Sequence, residues 1–374
     1  MSKPYNIVLA AGGTGGHVFP GIATAEALND LGHNTILATD SRGKAYQGNV
    51  RRVLIAASSL RGGAWLKIKG LFSIIHGVLQ AALLLHREKT DLVIGFGGFP
   101  SLPTLIAAKL MGCPIVLHEQ NAVLGKANRI VAKFAQSIAV AFENVRYADP
   151  NKTVLIGNPV RAKIADAKNQ AYNAPTTNGP IRVLIFGGSQ GARIFGDLIP
   201  ATMQLLPYEF RKRIKVVQQC RSEDFARVRI GFIKAEIEAE IAEFFHDMPE
   251  RLEAAHLVIS RSGASTVAEL TASGRPSLLI PYAAATDDHQ TANADALTSR
   301  GAAWRISEDE ASAEKLVEKL SKLFKHPEKL SNAANAAKAA ARTDAAVALA
   351  NFVETILKTK PINPRQRIVR DNVS

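Results

Sequence analysis

Short uninterrupted apolar runs alternate along this chain with longer stretches in which apolar residues recur at helical spacing, and glycine, proline or asparagine separates the two. Apolar runs of four to six residues suit strands buried on both faces, and strands alternating with helices predict a parallel α/β sheet. The pattern predicts strands at 6–11, 35–38, 91–96, 114–118, 137–141 and 153–156. A second set is predicted at 181–186, 215–218, near 242–245, 257–260 and 277–281. Helical spacing follows the first strand at Ile22, Ala25, Ala27 and Leu28, and recurs over 64–89, 264–273, 313–324, 330–341 and 345–357. Segment 167–180, rich in Asn, Pro and Gly, reads as a linker. The expected architecture is two Rossmann-like, doubly wound halves facing each other across a cleft.

Each half opens in the same way. An apolar strand runs into a glycine loop, Gly12-Gly13-Thr14-Gly15-Gly16 in the first and Gly187-Gly188-Ser189-Gln190-Gly191 in the second, and a helix follows. Glycines let a backbone approach a ligand closely, and helix N-termini attract anions. Neither loop has the G-x-G-x-x-G or G-x-x-x-x-G-K-[ST] spacing, and no acidic residue clearly closes a second strand in the dinucleotide manner. His17 follows the first loop directly. It is either a functional imidazole at the sheet's carboxyl edge or a helix-start histidine with a structural hydrogen bond.

The stretch 257–293 repeats the strand, glycine turn and helix, with Gly274 at the left-handed cap position and Pro276 after it. Glu269 lies over one turn into that helix. A carboxylate there would repel a bound phosphate but could accept hydrogen bonds from ribose hydroxyls. The stretch therefore suggests a nucleotide; an ordinary βαβ unit with an exposed Glu is the alternative.

The most apolar segment, 64–89, has no formal charge from Gly70 to Leu85, too short and too interrupted for a comfortable membrane span. Trp65, Leu66, Leu71, Phe72, Ile75 and Leu79 exceed what one core-facing stripe needs, and Lys67, Lys69, Arg87 and Lys89 flank them. That combination fits a helix resting on an anionic membrane surface, with Lys126, Arg129 and Lys133 as a further basic rim. The charge distribution agrees: residues 1–163 hold 18 Lys and Arg against 8 Asp and Glu, and the rest of the chain holds 28 against 25. An excess on one half points to an anionic partner. With 47% hydrophobic and 21% charged residues, the 374-residue chain has the composition of a folded protein of two domains. Cys113 and Cys220, far apart and without metal-ligand spacing, point to a reducing compartment. The start MSKPYN leads into a strand and does not read as a signal peptide. His118, Glu119, Gln120 and Asn121 gather at a strand's carboxyl end, where function collects; as strand neighbours, His118 and Glu119 point to opposite faces and are poor co-ligands for a metal.

The motifs GGTGGHVFPG (12–21), GFGGFPS (95–101), HEQN (118–121), GNPVR (157–161), GGSQGAR (187–193) and RSGASTVAE (261–269), with Gln290 beyond them, resemble the MurG family of UDP-N-acetylglucosamine-dependent transferases. The resemblance spans residues 12–290 in the family's order. It implies a GT-B fold: residues 1–162 on the acceptor and membrane side, 163–342 on the donor side, a helix at about 343–358 packing back on the first domain, and a loose tail over 359–374. It implies UDP-GlcNAc contacted by Thr14, Gly15, Gly16, Asn121, Arg161 and Ser189, and by Phe245 beside the uracil. Ala264, Ser265, Thr266, Val267, Ala268 and Glu269 would hold phosphate and ribose, Gln290 the transferred sugar, and His17 would be the base. Two departures stand out, Phe245 in place of a smaller aliphatic residue and the loop 283–289, which ends in His289 where the family often has Gln.

The implied reaction is inverting transfer of GlcNAc to the MurNAc 4-hydroxyl of lipid I, undecaprenyl-pyrophosphoryl-MurNAc-pentapeptide. A neutral imidazole, with a reference pKa of roughly 6.5, suits removal of the hydroxyl proton. The chain has no Asp-x-Asp, and helix N-termini can stabilise the leaving pyrophosphate, so no metal or other cofactor is expected for the chemistry. The implied location is the cytoplasmic face of the bacterial inner membrane, as a peripheral protein, with cell-wall and division proteins as possible further partners. The alternatives are a GT-B enzyme with another acceptor, a UDP-GlcNAc 2-epimerase, and a basic nucleic-acid binder. The last is disfavoured because no RNP, KH or zinc-finger pattern is present.

Overall fold

The computed structural model describes residues 4–43, 46, 48–57, 64–166, 171–188 and 191–359, with only the backbone described for 64–69, 71, 162 and 166. Ser189 and the tail from 360 lie outside these residues.

Among the described residues the chain builds two parallel sheets. The first holds β1 (Asn6–Ala10), β2 (Asn34–Thr39), β3 (Arg51–Leu54), β4 (Leu92–Gly95), β5 (Ile115–Glu119), β6 (Ser137–Val140) and β7 (Thr153–Leu155), in the order β3-β2-β1-β4-β5-β6-β7. The second holds β8 (Ile181–Phe186), β9 (Ile214–Gln219), β10 (Glu238–Ala242), β11 (Leu257–Ser260), β12 (Ser277–Leu279) and β13 (Ala303–Arg305), in the order β10-β9-β8-β11-β12-β13. Both are the doubly wound arrangement that the pattern predicts. Strand order reverses between β1 and β4, where Ala10 pairs with Gly95, and between β8 and β11, where Phe186 pairs with Ser260. Crevices beyond the carboxyl ends at such reversals are where open α/β sheets take ligands.

Two strands escape the apolar-run criterion. β3 is an edge strand with two arginines and no buried residue, so it carries no hydrophobic signal. β13 is only three residues long. β10 ends at Ala242, earlier than expected, because the half-buried edge segment Glu238–Ala242 alternates rather than running apolar.

The C-terminal helix Ala345–Thr359 returns to the first sheet. Ala345, Leu349, Ala350, Val353 and Ile356 are buried in one cluster with Ile7 and Leu9 of β1 and Val18, Ile22 and Leu28 of the helix after it. Fully burying each large apolar side chain is worth about 1.5–3 kcal/mol, so this return ties the two ends of the chain together firmly. Gly157 sits at the crossing: its φ is +102°, and a Cβ there would lie 2.6 Å from Cβ of Arg342.

Candidate active site

The first glycine loop ends in the helix Gly15–Asp30, with Thr14 at its N-cap in extended conformation. His17 therefore stands in the first turn, beyond the carboxyl end of β1. Its Nδ1 lies 3.0 Å from the Phe96 carbonyl oxygen and 3.1 Å from Gln120 Oε1. A backbone carbonyl can only accept, so Nδ1 carries the proton, and the neutral ring keeps its lone pair on Nε2.

Two features shape the loop around this ring. Asp40, directly after β2, accepts from the Gly13 N–H at 3.0 Å and the Gly43 N–H at 3.1 Å, and pairs with Arg42. An acidic residue thus does follow the second strand, but not in the dinucleotide manner, since it is spent on holding the glycine loop. Burial pushes its carboxyl up, and the Gly13 N–H, Arg42 and the Gly43 N–H together outweigh that and leave it below the ordinary carboxylate range. The second feature is Gly98, at φ 74° and ψ 147°, a region almost exclusive to glycine. A Cβ there would stand 2.7 Å from the Gly12 carbonyl oxygen and 3.1 Å from His17 Cδ2. Gly98→Ala is expected to destabilise the fold by about 1–3 kcal/mol, read as a lower denaturation midpoint. An unchanged midpoint would show that the loop can shift without cost.

From the second half, the helix Ala264–Ala272 presents its N-terminus to the first. Its N-cap is Gly263, with no side-chain cap, and the Ser265 hydroxyl is buried without a hydrogen-bond partner among the described residues. A Cβ on Gly16 would lie 3.8 Å from Ser265 Oγ, so the two helix N-termini converge. The first N–H groups of a helix lack intrahelical partners and favour an anion. Glu269, one turn on, accepts from Arg161 Nη2 at 2.9 Å and Nε at 3.2 Å. Its side chain is 14% exposed, and burial pushes its carboxyl up, offset in part by Arg161. The Arg161 guanidinium also lies over the Phe19 ring at 5.7 Å. Thr14, Gly15, Gly16, His17, Arg161, Ser265 and Glu269 therefore share one neighbourhood, to which Arg161 contributes from the crossing segment after Gly157.

The other expected donor residues are more occupied. Asn121 donates through Nδ2 to Glu119 and accepts from Asn293 at 3.1 Å. The buried Asn293, which no sequence motif marks, also accepts from the Ala122 N–H and donates to the Ser262 carbonyl, and so fastens the two halves. Only the partners reveal this role; one Asn in the helix His289–Thr298 carries no sequence signal. Gln290 Oε1 accepts from the Tyr282 N–H at 3.0 Å, and its carbonyl accepts from the Ser262 hydroxyl. Phe245 is buried with the Arg251 guanidinium 4.1 Å from its ring centre, so one face of the ring is already covered. Thr266 and Val267 are buried in the helix, with Val267 in the core; Ala264 and Ala268 are half-buried.

Arg129 corrects the expectation of a solvated basic rim. It donates to Asp287 at 2.7 Å and to the Leu124 carbonyl, and stacks over Tyr147 at 3.9 Å. It bridges the halves and is unavailable to a surface ligand. Its partner lies in the loop that departs from the family pattern, where Asp287 and Asp288 both adopt left-handed backbone, φ 54° and 53°. Short polar side chains tolerate that conformation. Lys126 and Lys133 remain exposed.

On the helix Ala64–Arg87, Phe72, Ile75, Leu79 and Leu83 form an exposed apolar line, with Phe72 68% and Leu79 65% exposed. Ala81, Leu84 and Leu85 on the same helix face the core. The side chains of Trp65 and Leu71 lie outside the described set. Among the described residues, no helix is long and apolar enough to cross a membrane.

Comparison with known proteins agrees with this geometry. The chain matches the model of the glycosyltransferase family 28 N-terminal domain over residues 7–140 and that of its C-terminal domain over residues 182–349. A transferase of Paramagnetospirillum magneticum, named as a UDP-N-acetylglucosamine–N-acetylmuramyl-(pentapeptide) pyrophosphoryl-undecaprenol N-acetylglucosamine transferase, is 47% identical over 93% of this chain and 95% of its own. The enzyme of the same name from Rhodospirillum rubrum is 44% identical over 94% of this chain and 92% of its own. The crystal structure of MurG from Acinetobacter baumannii superposes with a TM-score of 0.77 at 27% identity, covering 94% of this chain and all of that one. A UDP-GlcNAc 2-epimerase from Neisseria meningitidis shares the fold at a TM-score of 0.66 and 13% identity, over 95% of this chain. With two converging glycine-loop halves and both family domains matched in order, the chain belongs to glycosyltransferase family 28.

Proposed function

We propose that the protein transfers N-acetylglucosamine from UDP-GlcNAc to the 4-hydroxyl of MurNAc in lipid I, giving lipid II for peptidoglycan synthesis. Relatives bearing that name align over nearly the whole chain. The observation that carries the chemistry is the His17 ring, held at Nδ1 by the Phe96 carbonyl, beside two converging helix N-termini.

In the proposed reaction the MurNAc hydroxyl oxygen forms a bond to C1 of GlcNAc from one face. The bond from C1 to the UDP oxygen breaks on the other face, and its electron pair leaves with UDP. The configuration inverts from α to β. The hydroxyl proton goes to His17 Nε2. The charge growing on the leaving pyrophosphate is met by the free N–H groups at Gly15–Gly16 and at the start of the Ala264–Ala272 helix, with the Ser265 hydroxyl. Glu269 accepts from the ribose hydroxyls through the carboxylate oxygen that Arg161 does not take. Residues 1–162, with the returning helix, form the acceptor side and residues 163–342 the donor side. A steady UDP release that requires the lipid I acceptor supports this reading. Conversion of UDP-GlcNAc to its 2-epimer with no acceptor present would replace it with the epimerase reading.

The exposed line Phe72, Ile75, Leu79 and Leu83, on the more basic half, supports peripheral attachment to the anionic cytoplasmic face of the inner membrane. Changing Phe72, Ile75 and Leu79 together to serine is expected to weaken binding to anionic phospholipid vesicles by about 10-fold or more. Activity on a soluble acceptor analogue should persist, since these side chains face solvent. Undiminished vesicle binding would reject this surface.

A further inference from the structure

The base does not stand alone. Behind His17, two side chains follow in a hydrogen-bonded series, and the direction of every bond can be worked out from the two ends. At the far end, His118 Nε2 lies 2.9 Å from the Gly157 carbonyl oxygen, which can only accept, so Nε2 carries the proton. His118 is fully buried, and desolvation pushes its pKa down to about 4, so at neutral pH its Nδ1 holds a lone pair. That lone pair must accept, and it faces Gln120 Nε2 at 2.9 Å; the same amide nitrogen also donates to the His118 carbonyl at 3.1 Å. The orientation of the Gln120 amide is thereby dictated. Its Oε1 is turned towards His17, and Nδ1 of His17 donates to it and to the Phe96 carbonyl.

We propose that Gln120 and His118 are positioning residues for His17, a buried relay that, beside the Phe96 carbonyl, holds its Nδ1 proton and ring plane so that Nε2 is turned to the acceptor hydroxyl. The inference rests on His17 being the base. It assigns a role to two residues of the HEQN motif that the donor-binding account leaves unused, and it gives the Gly157 carbonyl a function besides its place in the turn. The Phe96 carbonyl already calls for the proton on Nδ1, and the Gln120 oxygen adds a second acceptor in the ring plane, so the ring cannot turn away without losing both bonds. After proton transfer, the imidazolium keeps Nδ1–H on two acceptors, which stabilises its charge. Those acceptors are neutral amides, so the support is gentler than the carboxylate of a Ser-His-Asp triad. Burial of His118 and Gln120, at 0% and 1% exposure, keeps water from replacing either partner. The neighbouring Glu119 takes no part in the relay. It accepts from the Asn121 and Gly125 N–H groups and from the Asn121 and Asn128 amides, and so shapes the loop.

The direct test is the ring nitrogens of His17, read by long-range ¹H–¹⁵N correlation on ¹⁵N-histidine-labelled protein, with the His17→Ala spectrum for assignment. The wild type is expected to show His17 protonated at Nδ1 and unprotonated at Nε2, and His118 the reverse. Gln120→Ala leaves the Phe96 carbonyl to accept from Nδ1, so the tautomer should stay, but the His17 ¹⁵N resonances should shift as the second acceptor is lost and kcat should fall on the order of 10-fold to 100-fold, within the limit set by general base catalysis, while KM for UDP-GlcNAc changes little. Wild-type His17 protonated at Nε2 would overturn the relay, and this reading needs no variant to fold. A Gln120→Ala enzyme with unchanged His17 resonances and unchanged kcat would overturn it as well. Full turnover in His17→Ala would instead remove the base assignment on which the relay rests, whatever the spectra show.

Discussion

Turnover of His17→Ala is expected to fall by roughly 10²–10⁴, equivalent to about 3–5 kcal/mol of transition-state stabilisation. Affinity for UDP-GlcNAc should change little, because His17 is held by Phe96 and Gln120 of its own half and the carboxylate and helix that would grip the nucleotide belong to the other. The split between turnover and binding is the diagnostic. A base acts only when the acceptor proton moves, so its loss is felt in the transition state and not in the ground state. A variant that turns over as the wild type does would return His17 to a helix-start histidine whose bonds serve only the fold. A variant that loses donor binding in proportion to turnover would mean that the imidazole holds substrate instead.

The second large effect is expected at Glu269. Glu269→Ala should weaken UDP binding about 10-fold to 100-fold, since hydrogen bonds to a charged group are worth roughly 1.5–3 kcal/mol. UDP and UDP-GlcNAc should suffer alike, because the ribose is common to both. Calorimetric titration of each ligand measures this. Glu269→Gln, which keeps an acceptor oxygen but loses the charge, should fall between. Both Arg161 bonds fall on Oε1 of the carboxylate, and its second oxygen is the acceptor for the ribose. UDP affinity unchanged in Glu269→Ala would leave Glu269 as a tie between the halves and nothing more.

Much of this architecture is written in the hydrophobic pattern. Strands buried on both faces, such as β1, β4 and β11, leave short apolar runs, and the glycine turns after them are equally plain. The edge strand β3 is missed for the opposite reason, since arginines at the rim of a sheet look like loop. His17 and Glu269 stand out because a titratable residue directly after, or one turn beyond, a glycine turn is placed by the backbone alone. Asp40 escapes the pattern although it closes β2, because its target is the Gly13 N–H of a loop 27 positions away. Arg129 shows the limit of helical spacing. Lys126, Arg129 and Lys133 share one rhythm, yet Arg129 has an acid from the other half of the chain within reach and turns to it. Asn293 and the relay behind His17 depend on partners distant along the chain, as Asn293 and Asn121 are at 172 positions, or on bond direction, and neither leaves a local trace.

The central claim is tested most directly by following labelled GlcNAc from UDP-GlcNAc into a lipid I analogue, with and without chelator, and reading the anomeric configuration of the product. The account predicts label in the lipid through a β-linkage to the MurNAc 4-oxygen, undiminished by chelator. Intact UDP-GlcNAc binding with no label in the lipid, or transfer with retained α configuration, would contradict it.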